Sequence, residues 1–197
     1  VKKVKIGLTG GIGAGKSTVA NLLTKQGADV VSGDELGRQV LDDAAVSEAL
    51  IERFGMQIVN PDGKLNRKAI AALVFADPSQ SKWLTLLTFP GIYSRWQHAF
   101  DQSHNRVVVF DAALIFEWKI QDDFDVIVVV VADAEFAYKR ASGRFNREDF
   151  ERRITAQLPV EHKMSYADFV IQNNGSPDDL VRQIVEFWNN KIEPLIA

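Results

Sequence analysis

The residues best suited to chemistry lie near the start of the chain. Gly10-Gly11-Ile12-Gly13-Ala14-Gly15-Lys16-Ser17 fits the pattern G-x-x-x-x-G-K-[ST]. Glycines in that spacing let a backbone wrap closely around an anion and turn its N–H groups toward phosphate oxygens. A helix opening near Lys16 would add its free N–H groups and the positive end of its dipole to the same anion. The Lys16 ammonium suits β- and γ-phosphates, the Ser17 hydroxyl suits Mg²⁺, and Thr18 is placed to donate to an α-phosphate. The expected ATP-contacting residues of the loop are therefore Gly11, Gly13, Ala14, Gly15, Lys16, Ser17 and Thr18.

Three further groups extend this reading. Asp34 follows a short apolar stretch ending at Ser32, with Arg38 four residues later on the same helical face. A carboxylate there could take a proton from, or orient, an attacking hydroxyl; equally, Asp34 could cap the helix that follows. Asp111 closes the run Val107-Val108-Val109-Phe110, the position of a carboxylate that holds Mg²⁺ through water or of an Asp that simply forms a turn, while Glu117 could be a surface charge. Arg140 and Arg144, one helical turn apart, lie in a basic stretch suited to a mobile lid over a transferring phosphoryl group, with Gly143 as a hinge.

The elements needed to position these groups are legible as an alternation of strands and helices. Residues 3–9, 28–31, 106–110, 126–131 and 169–171 read as strands. The runs at 106–110 and 126–131 lack polar alternation, as strands buried on both faces do. Residues 16–26 and 178–191 read as helices, the second capped by Ser176 with Pro177 in its first turn. The expectation is an α/β phosphate-loop fold, with a parallel five-stranded sheet flanked by helices. Residues 35–105 show helical stretches broken at Asn60-Pro61-Asp62-Gly63 and Asp77-Pro78, and read as a helical insertion. The expected organisation is a nucleotide-binding core of 1–34, 106–140 and 158–197, a substrate-binding insertion of 35–105 and a lid of 141–157.

Composition narrows the function classes. The 197 residues are 46% hydrophobic and 25% charged, with 23 Lys and Arg against 26 Asp and Glu and a formal charge of −3. Coating of duplex nucleic acid or of an anionic membrane is disfavoured by that balance. No cysteine occurs, which excludes disulfides, thiolate nucleophiles and Cys-based metal sites. His98, His104 and His162 are the only histidines, too few for a histidine-rich metal centre. The longest apolar run, 126–132, is too short to cross a bilayer, and a cytoplasmic location is expected. The one approach to a guanine-recognition signature, Asn190-Lys191-Ile192-Glu193, ends in the wrong residue and lies in a helix, which disfavours a regulatory GTPase.

With these residues in hand, nearly the whole chain resembles the dephospho-CoA kinase family. Leu8 to Thr18 resembles the family's opening loop. Val31 to Val40 is similar to its segment Asp-Ala-Asp-x-Ile-Ala-Arg-x-Val, with Asp34 on the second Asp and Arg38 on the Arg. Arg140-x-x-x-Arg144 resembles its lid arginines. Arg153-Ile154-x-x-Gln157 and Ala167-Asp168-Phe169-Val170-Ile171-x-Asn173-x-Gly175 resemble its C-terminal signature. The resemblance implies transfer of the ATP γ-phosphate to the ribose 3′-hydroxyl of dephospho-CoA with Mg²⁺, on a core with a helical domain and a lid. Lys16, Asp34 and Arg140 become the implied catalytic set. Arg144, Asn173 and Gly175 are implied on the ATP side, the last two near adenine. Asp34, Arg38, Phe89, Leu114 and Glu117 are implied on the side of the acceptor, and Ser17 and Asp111, the latter through water, on Mg²⁺. A monomer or weak homo-oligomer without nucleic-acid or membrane partners is expected. The chain departs from the family at Phe89-Pro90, in place of His-Pro, and at Ala113, in place of the proline of Asp-x-Pro-Leu-Leu-Phe-Glu. Ser32 and Gly33 replace the Asp and Ala before Asp34. The alternatives are another nucleoside or nucleotide kinase on this fold, or a catalytically weak nucleotide-binding regulator.

Overall fold

A computed structural model describes residues 2–197; Val1, the first position of the expected core, lies outside the described residues. The chain divides into two compact units, one of residues up to Ser32 with Ala99–Ala197, the other Gly33–His98.

In chain order, the first unit opens with β1 (Val4–Gly10), α1 (Lys16–Lys25) and β2 (Asp29–Ser32). The second consists of α2 (Gly33–Leu41), α3 (Ala44–Phe54), α4 (Arg67–Ala76) and most of α5 (Pro78–Gln102). The first unit then resumes with β3 (Val107–Asp111), β4 (Val126–Val131), α6 (Ala134–Ala141), α7 (Arg147–Thr155), α8 (Val160–Ser165), β5 (Phe169–Gln172), α9 (Pro177–Phe187) and the last turn α10 (Glu193–Ile196).

All five strands pair in parallel, in the order β2-β3-β1-β4-β5. The apolar runs of β3 and β4 are explained by this placement. Val126 to Val131 is buried throughout because β4 pairs on both edges and is covered on both faces. On one face Val4, Ile6 and Leu8 of β1 meet Val19 and Leu23 of α1 and Leu180, Ile184 and Phe187 of α9. Gly7 points to the other face, where a Cβ would crowd Ile127, Ile115 and Phe124. Each fully buried aliphatic side chain stabilises the fold by about 1.5–3 kcal/mol. The amino end of the sheet is pinned by carboxylates: Asp125 accepts from Lys5 N at 2.9 Å, and Asp168 from Ile127 N at 2.7 Å.

α9 begins as its sequence predicts. Ser176 accepts from Asp179 N, the Asp179 carboxylate accepts back from Ser176 N at 2.9 Å, and Pro177 occupies the first turn. The regular helix ends at Phe187 rather than Lys191, passing into a wider π turn over Trp188–Ile192.

Within the unit 33–98, Leu36, Val40, Leu50, Ile58, Ile70, Val74 and Trp96 are buried. Its breaks fall where the sequence places them. Gly63 closes the turn from Asn60 with a positive φ of 81°, and α5 starts at Pro78. One isolated antiparallel bridge, Val59 with Leu65, flanks that turn.

Candidate phosphate-transfer site

The loop between β1 and α1 is shaped by close approach to its neighbours. Gly13 (φ 73°) and Gly15 (φ 96°) adopt the left-handed backbone that glycine favours. A Cβ at Gly13 would overlap the Ala137 carbonyl of α6, and one at Gly15 would overlap the Asn173 amide. Nothing crowds Gly11, whose Cα faces open space. Gly15 then serves as the N-cap of α1 with no side-chain cap and no acidic residue in the first turn. The first-turn N–H groups of Lys16 and Ser17 consequently have no acceptor within the helix, an arrangement that favours an anion.

Lys16 Nζ lies 3.1 Å from Asp111 Oδ1, and both side chains are largely buried. β3 delivers Asp111 as its last residue, in register with Leu8 of β1 and Ser32 of β2. The ammonium is within ion-pair range of Oδ1 but off a hydrogen-bond direction, so this buried oxygen has no hydrogen-bond partner. An orphaned carboxylate oxygen beside a phosphate loop and the exposed Ser17 hydroxyl offer hard oxygen donors of the kind Mg²⁺ takes. No group of three or more His, Cys, Asp or Glu gathers around a metal position among the described residues, so a cation here would keep several waters.

The segment after β3 is tied down at several points. Ala112 N donates to Leu8 O at 3.0 Å, and the Ala113 carbonyl accepts from Thr9 Oγ1 at 3.1 Å and from Lys163 Nζ at 2.8 Å. Glu117, read as a surface charge or an acceptor-side contact, is largely buried. Its Oε1 accepts from Lys163 Nζ at 2.9 Å and from Leu158 N at 2.8 Å. Leu114 lies half-buried in the same turn. Lys163 was not legible as a site residue, because a lysine in a charged stretch reads as a solvated one; its only sequence signal is its place just ahead of Ala167-Asp168.

Asn173 is 8% exposed, and its amide donates to Ala14 O at 2.7 Å. Its side chain therefore holds the loop from behind. Gly175, exposed, opens the turn into α9. Arg140 donates to Asn173 O at 2.7 Å, which ties α6 to the same turn. Arg140 and Arg144 do not share a helical turn: α6 ends at Ala141, and Arg144 lies beyond it, exposed, with its N–H bonded to Ala141 O. The next segment packs on α6 through Phe150 and through Arg147, which lies 3.8 Å over the Tyr138 ring and pairs with Glu135. That guanidinium hydrogen-bonds the Glu135 carboxyl and holds it below its ordinary range.

Asp34 is the second residue of α2, exposed, two positions beyond Ser32. Because α2 starts at Gly33, Asp34 sits inside the first turn and is not the N-cap. Arg38 pairs with Glu35 at 2.9 Å. Phe89 packs against Tyr93 within α5, the ring centroids 5.5 Å apart and the planes tilted, an apolar contact for the position.

Three comparisons bear on this arrangement. A family model described as dephospho-CoA kinase matches residues 4–179. A dephospho-CoA kinase from Geobacter sulfurreducens is 38% identical over 189 residues, spanning 93% of this chain and 96% of its own. A crystal structure of a Thermus thermophilus protein has a TM-score of 0.80 at 30% identity, over 97% of this chain and 99% of the other. The dephospho-CoA kinase of Campylobacter jejuni has a TM-score of 0.69 at 24% identity, over 97% and 98% of the two chains, a likeness of fold.

Proposed function

The chain belongs to the dephospho-CoA kinase family, and we propose that its site moves the γ-phosphate of ATP to the ribose 3′-hydroxyl of dephospho-CoA, giving CoA and ADP. The observation that carries the reading is the uncapped start of α1, with Lys16 beside Asp111, in a chain related to dephospho-CoA kinases along nearly its whole length. Gly11 to Thr18 bind the phosphates of ATP through backbone N–H groups, and Lys16 balances charge on the β- and γ-phosphoryl oxygens. Ser17 and Asp111, the latter through water, would hold Mg²⁺, which when bound would supply charge neutralisation to the phosphates.

Asp34 accepts the proton of the attacking 3′-hydroxyl or orients it. Its support is its place directly after β2, whose last residue is in register with Asp111. Arg38 and Arg140 serve as anion contacts. Arg144, exposed just beyond α6, supplies charge over the transferring group. Residues 35–105, which include Phe89, grip the acceptor, and 141–157 form the lid. Among the described residues no helix is long and apolar enough to cross a membrane. A cytoplasmic location, and a monomer or weak homo-oligomer without nucleic-acid partners, complete the proposal.

The test is a coupled ADP-release assay with ATP, Mg²⁺ and dephospho-CoA, run beside a panel of nucleosides and nucleotides. Turnover should depend on dephospho-CoA. Stimulation by a nucleoside alone would assign the chain to a different acceptor, and ATP binding without transfer to any acceptor would make it a regulator.

A further inference from the structure

We propose that Lys163 is a positioning residue for phosphoryl transfer, holding in place the turn that directly follows Asp111; the inference rests on the phosphotransferase reading above. Lys163 is 1% exposed, and its ammonium is spent on one turn of the chain, 2.8 Å from Ala113 O and 2.9 Å from Glu117 Oε1. Burying an ammonium and a carboxylate together gains little over an apolar pair of the same volume. Stability alone therefore does not account for this lysine. Its ammonium supplies donors to two points of the 113–117 turn at once, which an apolar side chain cannot do.

The turn is rooted at the site. Ala113 lies two residues beyond Asp111, and Ala112 N is bonded to β1 at Leu8 O. The Ala113 carbonyl is shared between Lys163 and Thr9 Oγ1, and Thr9 directly precedes the glycine loop. Glu117 Oε1, held by Lys163, also accepts from Leu158 N, the first residue after the 141–157 segment. One buried ammonium thus links the Asp111 turn, the root of the phosphate loop and the end of the segment that carries Arg144. Loss of its charge leaves Glu117 buried without a counter-ion and Ala113 with Thr9 alone.

Lys163→Met in the full chain tests this by hydrogen–deuterium exchange without nucleotide, together with steady-state kinetics. Exchange at residues 112–118 should rise at least about tenfold while the amides of β1 and β4 keep their protection. Turnover should fall at least about tenfold with KM for ATP changed less than about threefold, because the loop amides and Lys16 remain. Thr9→Val removes the other side-chain donor to Ala113 O at nearly equal volume and should show the same local pattern with smaller amplitude. It decides the matter alone where Lys163→Met does not fold. Unchanged exchange at 112–118, or a uniform rise with turnover falling only in step with the folded fraction, overturns the proposal. A wild-type chain that does not phosphorylate dephospho-CoA overturns the kinase reading instead and leaves the exchange result interpretable by itself.

Discussion

At the residue scale, Lys16 and Asp34 make different demands. Lys16 is largely buried against Asp111 and sits at a helix start with no other cation in its first turn. Lys16→Ala removes the charge that meets the phosphates and leaves Asp111 without its counter-ion. ATP binding, followed by calorimetry, should weaken, and turnover should fall by about 10²–10³ or more. Asp34 is exposed in the first turn of α2. Asp34→Asn keeps its size and abolishes its basicity, so turnover should drop by about 10²–10⁴ while ATP affinity stays close to wild type. Equal losses in affinity and turnover would remove Asp34 from proton transfer. The contrast between the two variants, in the same pair of assays, separates phosphate binding from acceptor activation.

At the element scale, the caps decide where the site's supports begin. The Ser176–Asp179 box fixes the start of α9, only three residues after Asn173, whose amide holds the phosphate loop. Ser176→Ala should cost about 1 kcal/mol, a fall in Tm of about 2–4 °C for a chain of this size. Hydrogen bonds from the Ser176 backbone N–H and hydroxyl hold the Asp179 carboxyl below its ordinary value. A carboxyl with a lowered folded value stabilises above its unfolded value, about pH 3.9, and loses that contribution as pH falls through the folded value. The Tm difference between Ser176→Ala and wild type should therefore be full near pH 7 and narrow below about pH 4. It should not vanish, because the Ser176 oxygen also accepts from Asp179 N. The Ser176 cap with Pro177 was legible in the sequence, as were the five strands and the glycine loop, because each rests on local spacing; the returning bond to the Asp179 carboxylate was not. The end of α6 was not. Arg140 and Arg144 have helical spacing, but the chain turns out of the helix at Ser142-Gly143, and no periodicity marks that exit. The pairing of Glu117 with Lys163 was missed for the opposite reason: it joins residues 46 positions apart, and a charge buried by tertiary structure looks in sequence like a charge in water.

At the scale of the whole molecule, the formal charge of −3 conceals an uneven distribution. Between Tyr138 and Lys163 seven Lys and Arg stand against four Asp and Glu, a local surplus of three positive charges. The structure reduces what solvent sees of it, since Lys163 is buried against Glu117 and Arg147 is paired with Glu135. Exposed Lys139 and Arg144 remain on and just beyond α6, beside the phosphate loop whose Gly13 packs on Ala137 of that helix. Both proposed substrates are polyanions, so a small positive region on an acidic body must attract them locally against an unfavourable net charge. Such attraction between exposed charges weakens as the Debye length shrinks from about 10 Å at 0.1 M salt toward about 3 Å at 1 M. KM for ATP and for dephospho-CoA should rise severalfold between 0.05 and 0.5 M NaCl, about three- to tenfold, while turnover at saturation changes little. Arg144→Ala should raise both KM values at low salt and flatten their salt dependence, because it removes an exposed charge that this attraction uses. A salt-independent KM in the wild type would mean that the substrates are held by the phosphate loop alone, with the basic segment serving only to pack on α6.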